Sequence, residues 1–206
     1  MSESPSSIII RSSRLSDEKD LIEICHLTGD MRIDPYLLAL RWCLDYLWHD
    51  TGNCFSAEDT ETGRVVGYIV GTLDTRRQEQ RLVEVMLPRI KAHWKTVRPK
   101  TLARWQDYIF MRSSLHNPDG KLLAEYPAHL HINVHPDHQG KGIGGRLMAA
   151  YEQNLIDHSV RGYHLGVGGD NQVGIAFYKK QGLDYLGKIP GPKHPIVIYY
   201  GRKLAQ

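Results

Sequence analysis

Residues Ala128 to Met148, AHLHINVHPDHQGKGIGGRLM, constrain the fold more than any other stretch, because they demand a strand, a tight turn and a helix in immediate succession. Leu130, Ile132 and Val134 alternate with His129, His131, Asn133 and His135, the period of two that gives a strand one buried face. Pro136 ends the strand. Gln139 to Gly145 then places four glycines in seven positions, and Ile143, Leu147, Ala150 and Tyr151 follow at helical spacing. Glycines at a strand-to-helix turn leave backbone N–H groups uncovered at the positive end of a helix, which favours an anion such as a pyrophosphate. A competing reading is that the glycines only let the chain reverse tightly.

Gly140-x-Gly142-x-x-Gly145 also has the spacing of a dinucleotide fingerprint, so a nicotinamide-binding (NAD) oxidoreductase stays open on that spacing alone. Its confirming acidic residue should end the next strand. That strand, Tyr163 to Val167, runs into Gly168-Gly169, and Asp170 comes too late for the match. The phosphate loop of nucleotide hydrolases is excluded, because no Gly-Lys-Ser/Thr occurs.

Val134-His135-Pro136 and Gln139-Gly140-Lys141-Gly142-Ile143-Gly144 resemble the acetyl-CoA signature of the GCN5-related N-acetyltransferases (GNAT superfamily), Q/R-x-x-G-x-G/A after a strand ending in V-x-P. A second block, Asn171 followed by Ile175-Ala176-Phe177-Tyr178-Lys179-Lys180-Gln181-Gly182-Leu183, resembles the N-x-x-x-x-x-F-Y-x-x-x-G-F of the same family. The blocks HLHINVHPDHQGKGIGGRLM, GVGGDNQ and AFYKK are also similar to the acetyltransferase-like domain of O-GlcNAc hydrolases and its stand-alone bacterial relatives.

The resemblance implies an acyltransferase that moves an acetyl group from acetyl-CoA, as cosubstrate, to an amine acceptor by direct attack in a ternary complex. It assigns cofactor contacts to Ile132, Val134, Gln139, Gly140, Lys141, Gly142, Ile143 and Gly144, and the pantetheine and thioester end to Asn171, Phe177 and Tyr178. Tyr178 takes the family's role of general acid to the CoA sulfur. Family members often carry an Asp or Glu base on the fourth strand, and this strand has none. Its polar face offers histidines instead, and a neutral imidazole is a competent base near pH 7, so His131 is the first choice of base and His129 the second. Water, a residue of the insertion described below, Glu125 and Asp170 remain as alternatives. So does a CoA-binding module without catalysis, which the missing strand carboxylate favours. Four histidines between His129 and His138 lie along one edge with no carboxylate or cysteine completing a set, so no metal site is expected.

The chain before the central motif supplies Ile8 to Arg11 as a first strand after a polar tail, residues 1–7, expected to be disordered. A helix opens at Ser16 with Leu21, Ile22, Ile24, Cys25 and Leu27 as its stripe, and a second follows Asp34-Pro35 with a broad apolar face from Tyr36 to Trp48. In the resembled family these helices border the acceptor, which brings in Tyr36, Trp42, Tyr46 and Trp48, although helical spacing favours core packing for most of them. A hairpin spans Asn53 to Leu73 around Thr60-Glu61-Thr62-Gly63. Residues 74–126 exceed the family's minimal pattern. Leu82 to Trp94 predict one helix interrupted at Pro88, Leu102 to Phe110 predict another, and His116 to Gly120 a loop. Arg76, Arg77, Arg81, Arg89, Lys91, Lys95, Arg98, Lys100 and Arg104 read either as a solvated face or as a lid that attracts an acidic substrate. Gln172 to Gln181 predict the last helix, and Asp184 to Leu186 and Pro195 to Tyr200 the last strands.

That order predicts an α/β (α+β) fold: a GNAT-like mixed, mostly antiparallel central sheet of about seven strands, helices on both faces, and an inserted helical lobe between the third and fourth strands. The whole of 1–206 is read as a single acetyltransferase domain, with 74–126 as the helical insertion and 128–187 as the acetyl-CoA-binding core. A net charge of +3 is too mild to argue for nucleic acid, and no apolar run approaches a membrane span. Cys25, Cys43 and Cys54 have no paired spacing and read as buried small residues. The start, MSESPSS, lacks the basic-then-apolar pattern of a secretion signal, so the expected location is cytoplasmic. The expected partner is a small-molecule or peptide amine acceptor, and the expected state a monomer or homodimer.

Overall fold

The computed structural model describes residues 7–97, 120–190 and 196–205. The expected helix from Leu102 to Phe110, the loop residues 116–119, the basic residues Arg98, Lys100 and Arg104, and Pro195 lie outside the described residues, as do residues 1–6.

Among the described residues seven strands form one sheet: β1 (Ile8–Ser12), β2 (Phe55–Asp59), β3 (Val65–Thr72), β4 (Ala128–Val134), β5 (Gly162–Gly168), β6 (Asp184–Ile189) and β7 (Val197–Lys203). Their spatial order is β1-β2-β3-β4-β5-β7-β6, and every pairing is antiparallel except β4 with β5. The predicted mixed sheet is therefore present. Strand β3 is buried along its whole length, as a central strand covered on both faces should be. A bulge opposite Ala57 and Glu58 shifts its register, so that Val65, Tyr68 and Val70 join one core while Val66 and Ile69 join the other.

The first core lies beneath α1 (Glu18–Thr28), α2 (Pro35–Trp42), α3 (Leu44–His49) and the described part of the insertion. Asp34 caps α2 by accepting from the Leu37 N–H at 3.0 Å, and Pro35 takes the first helical position, where no N–H is needed. The single helix expected from Tyr36 to Trp48 is two, broken at Cys43 (φ −141°, ψ −36°). A straight helix buries one stripe, whereas Leu37, Leu38, Ala39, Leu40, Leu44 and Leu47 are all buried, and the bend turns both halves inward.

The insertion leaves β3 through α4 (Thr75–Arg81), capped by Asp74, whose carboxylate accepts from the Arg76 and Arg77 N–H groups at 2.9 and 3.3 Å. The interruption expected at Pro88 does not occur. A π-helical segment, Leu82–Met86, joins α4 directly to α5 (Leu87–Val97), and the Leu87 N–H bonds five residues back to the Leu82 carbonyl. Proline lacks the N–H and crowds the carbonyl four residues before it; a wider turn just upstream relieves that clash, so the helix continues. Arg76, Arg77, Arg89, Lys91 and Lys95 are exposed, the solvated face of the two readings. Arg81 turns inward instead, bonding Asp45 bidentately at 2.8 and 3.2 Å and pairing with Asp50. Gln78 donates to the same Asp45 at 2.8 Å, and Asp45 is fully buried. After α6 (Gly120–Glu125) the chain enters β4.

The second core lies on the opposite face beneath α7 (Ile143–Asp157) and α8 (Gln172–Lys180), with Ile143, Leu147, Tyr151 and Leu155 against Leu130, Tyr163 and Leu165. Helices thus cover both faces. Among the described residues, no helix is long and apolar enough to cross a membrane.

Because Asp45 is the buried acceptor through which α4 docks on α3, Asp45→Ala leaves the Arg81 guanidinium with Asp50 alone and the Gln78 amide without its acceptor. The expected loss is about 3–5 kcal/mol of unfolding free energy by urea titration, with faster hydrogen exchange across residues 75–97. A loss under about 1 kcal/mol would mean that this pair behaves like an exposed one and does not hold the insertion.

Candidate active site

Strands β4 and β5 pair at only two positions, Ala128 with Tyr163 and His129 with His164, and then part. Each keeps its outer neighbour: β4 stays on β3 to Val134, and β5 stays on β7 to Gly168. The bond from the His135 N–H to the Val66 carbonyl fixes the parity of the β3–β4 ladder. His131 and Asn133 therefore turn their backbone groups towards β3, and Ile132 and Val134 turn theirs into the gap. The Val134 carbonyl accepts from Gln139 Nε2 at 3.0 Å, in keeping with that direction. A wedge whose wall, among the described residues, has no strand partner past His129 can take an extended ligand rich in amides.

The glycine turn lies at the end of this wall. Gly140 and Gly142 adopt φ of 77° and 78°, left-handed values that favour glycine. Gly142 is the N-cap of α7 and offers no side-chain cap, so the first amides of a 15-residue helix are left without a side-chain acceptor. Gly144 is needed for space: a Cβ there would lie 3.0 Å from the Phe177 ring, which closes over the start of the helix. Ile143 contributes only its backbone, since its side chain is buried in the second core. Lys141 is exposed.

Asn171 caps α8 by accepting from the Gly174 N–H at 2.9 Å and also lines the cleft. Tyr178 packs against Phe177 and Tyr200, with ring centroids 5.3 and 6.2 Å away. Burial pushes its phenol up to about 12, so it keeps its proton at neutral pH.

The opposite face of the wedge opens into a cleft of about 780 Å³ whose lining includes Thr28, Ile33, Trp42, His131, Asn133 and Asp170. His129 does not reach it as a base. Thr75 Oγ1 donates to the Pro127 carbonyl at 2.7 Å, so His129 Nδ1, 2.9 Å from that oxygen, must donate to it. Nε2 then accepts from the Tyr46 hydroxyl at 2.6 Å. Both nitrogens are occupied, and the second-choice base becomes a brace between β4, α3 and α4. His131 does face the cleft, beside Trp42 and Tyr46. Burial, with Arg41 and His164 adding to it, depresses its imidazole to about 3, so it is neutral at pH 7 but a weak proton acceptor. Of the expected aromatics, Trp42 lines the cleft, Tyr46 is buried, Trp48 donates to Glu18 at 2.8 Å and Tyr36 packs on His93. Glu125 pairs with Lys203 at 2.7 Å on an exposed surface.

Four groups escaped the sequence reading. Arg41 is buried with its guanidinium 4.4 Å from the Trp42 ring centroid. His164, on β5, donates from Nδ1 to the Tyr126 carbonyl at 2.8 Å and is depressed to about 4, chiefly by burial. Tyr199, on β7, stands 6.2 Å from His164 and is pushed up by burial and by the charge of Glu79. Glu79, on α4, has carboxylate oxygen Oε1 buried without a hydrogen-bond partner among the described residues. A charged residue inside an all-round apolar helix was a signal for Arg41. Glu79 sits in the polar run Thr75 to Arg81 and gave none.

The model of the acetyltransferase (GNAT) family matches residues 21–183. The crystal structure of SsHAT aligns with a TM-score of 0.80 at 31% identity, covering 97% of this chain and 99% of that one. A GNAT superfamily phosphinothricin acetyltransferase from Sinorhizobium meliloti, solved in complex with AcCoA, shares the fold with a TM-score of 0.58 at 19% identity, covering 97% of this chain and 89% of that one. The acetyltransferase SG1711 of Sodalis glossinidius is 34% identical over 70 residues, 32% of this chain and 48% of that protein. The chain spans about half the length of the curated relatives it matches.

The depressed histidines make stability depend on pH with a definite sign. Their folded values lie below the unfolded value of 6.5, so the unfolded chain binds the extra protons and stability falls as pH drops from 6.5 towards 4. At buried His164 the slope approaches about 1.4 kcal/mol per pH unit. Urea midpoints at pH 7 and pH 5 should show the loss, and His164→Gln should flatten it. An unchanged slope in that variant would assign the acid sensitivity elsewhere.

Proposed function

The chain belongs to the acetyltransferase (GNAT) family, and from that premise we propose that it moves an acetyl group from acetyl-CoA to an amine acceptor by direct attack in a ternary complex. The observation that carries the reading is the continuous path from the uncapped start of α7, through the inward-facing backbone of Ile132 and Val134, to the cleft beside His131. The pyrophosphate sits on the amides of Gly140 to Gly144, where the helix end favours negative charge, and Lys141 adds a cation. The pantetheine pairs with the unpaired wall of β4, with Gln139 and Asn171 at its borders. Phe177 shapes the turn. Tyr178 holds the proton for the departing thiolate, and its elevated phenol keeps that proton available.

The acceptor enters from the other side, along the α1–α2 loop, so that amine and thioester meet where the strands part. Positioning of two reactants at that point supplies much of the rate. The acetyltransferases solved with AcCoA, such as the Sinorhizobium meliloti enzyme, support the choice of cosubstrate.

Calorimetry with acetyl-CoA should show binding that Gly142→Asp weakens at least about tenfold, or about 1.4 kcal/mol, because a carboxylate then faces the pyrophosphate. Tight NAD binding without CoA binding would overturn the reading. Thiol release should appear with at least one of a panel of primary amines, amino sugars and peptide N-termini. Tyr178→Phe should lower kcat about 10²-fold while leaving acetyl-CoA affinity nearly unchanged. CoA binding without release on any acceptor would instead favour a module that has lost catalysis.

A further inference from the structure

We propose that Glu79, on the first helix of the insertion, is the catalytic base that takes the proton from the acceptor amine. The inference rests on the acetyl-transfer reading of the same cleft and names a residue that no motif of the chain marks.

The geometry comes from α4. Thr75 is fixed on His129 and Pro127 at the point where β4 and β5 are still paired. Gln78 and Leu82 are buried on the same side of the helix. Glu79 lies four residues after Thr75, one turn along that inner face, near Arg41 of α2 and Tyr199 of β7, each of which feels its charge. Its Oε1 is buried without a hydrogen-bond partner among the described residues, and a buried carboxylate oxygen so placed calls for a ligand proton or a function.

The groups around it come from every wall of the site. Arg41 of α2 and Arg76 of its own helix act to stabilise the carboxylate, and Tyr199 of β7 lies close enough to feel its charge. Arg41 in turn feels Asp45 of α3, Tyr46 and Glu79, while His131 of β4 feels Arg41 and His164 of β5. Burial outweighs the two arginines and raises the Glu79 carboxyl above 4.5. His129, with both nitrogens engaged, and His131, depressed to about 3, are poorer acceptors.

In the proposed step the lone pair of the neutral amine attacks the thioester carbonyl carbon and forms the N–C bond. The nitrogen, now cationic, gives one proton to the Glu79 carboxylate. The C–S bond breaks with its electron pair on sulfur, which takes the phenolic proton of Tyr178. Solvent then returns a proton to the phenolate and removes one from Glu79, so the products are the amide and the CoA thiol.

The test is the pH profile of acetyl-CoA turnover, with an acceptor from the panel of primary amines, amino sugars and peptide N-termini, for wild type, Glu79→Gln, Glu79→Asp and His131→Gln. Glu79→Gln should lose about 10² to 10⁴-fold in kcat together with the acidic limb, while acetyl-CoA affinity by calorimetry is unchanged. Glu79→Asp should keep measurable turnover with the limb displaced, and His131→Gln should keep the limb. Wild-type turnover with a limb that stays put in both Glu79 variants overturns this inference alone. If Glu79→Gln fails to fold, the limb position in Glu79→Asp decides. No turnover by wild type on any acceptor overturns the acetyl-transfer reading and this inference with it.

Discussion

The early parting of β4 and β5 is the constraint on which the site depends. After the two pairs at Ala128 and His129, each strand remains fully hydrogen-bonded on its outer side. The inner backbone groups of Ile132 and Val134 then bond to something that is neither neighbouring strand, as the Val134 carbonyl does to the Gln139 side chain. The sheet thus creates a demand for a polar, extended occupant at its centre. It also gives that occupant two ends. One face presents the uncapped start of α7, suited to negative charge, and the other presents the cleft with Trp42, His131 and Asn133.

The insertion adds buried polar groups behind the second face. Its first helix docks through Asp45, which accepts from both Gln78 and Arg81, and through Thr75, which joins the His129 brace. These contacts are buried and charged, so they set one position of α4 rather than a range. Thr75 and Glu79 are four residues apart, just over one turn and about 6 Å along the axis. The contact that fixes the helix on β4 therefore also fixes where the carboxylate lies, and structural and chemical roles cannot be separated by sequence distance.

The strand, turn and helix from Ala128 were legible because each rests on a local rule: a period of two, glycines with positive φ at Gly140 and Gly142, and an apolar stripe from Ile143. The strands followed from patterning in the same way, whereas the insertion was read from the family resemblance. What stayed hidden depends on tertiary docking. The polar side of β4 could face solvent, substrate or another helix, and only the positions of α3 and α4 show that His129 is braced on both nitrogens. The π-helical segment before Pro88 was illegible because proline alone predicts a break, not the wider turn that avoids one. Glu79 lies in Thr-Arg-Arg-Gln-Glu-Gln-Arg, where the absence of an apolar stripe reads as a solvated face.

Placing a carboxylate on α4 rather than on β4 changes its electrostatics. At position 129 a carboxylate would meet the Tyr46 and Thr75 hydroxyls, and the bond from Thr75 to Pro127 would leave Thr75 with no proton to give. At Glu79 burial disfavours the charged form while Arg41 and Arg76 favour it, so the raised value is a compromise between opposing influences. Burial alone would make the group hold a proton too firmly to release it. Arginine alone would make it too weak to take one. For the proposed proton acceptor the balance matters in both directions, because protonation of Glu79 leaves the buried Arg41 with one counter-charge fewer and so favours the return of the proton to solvent.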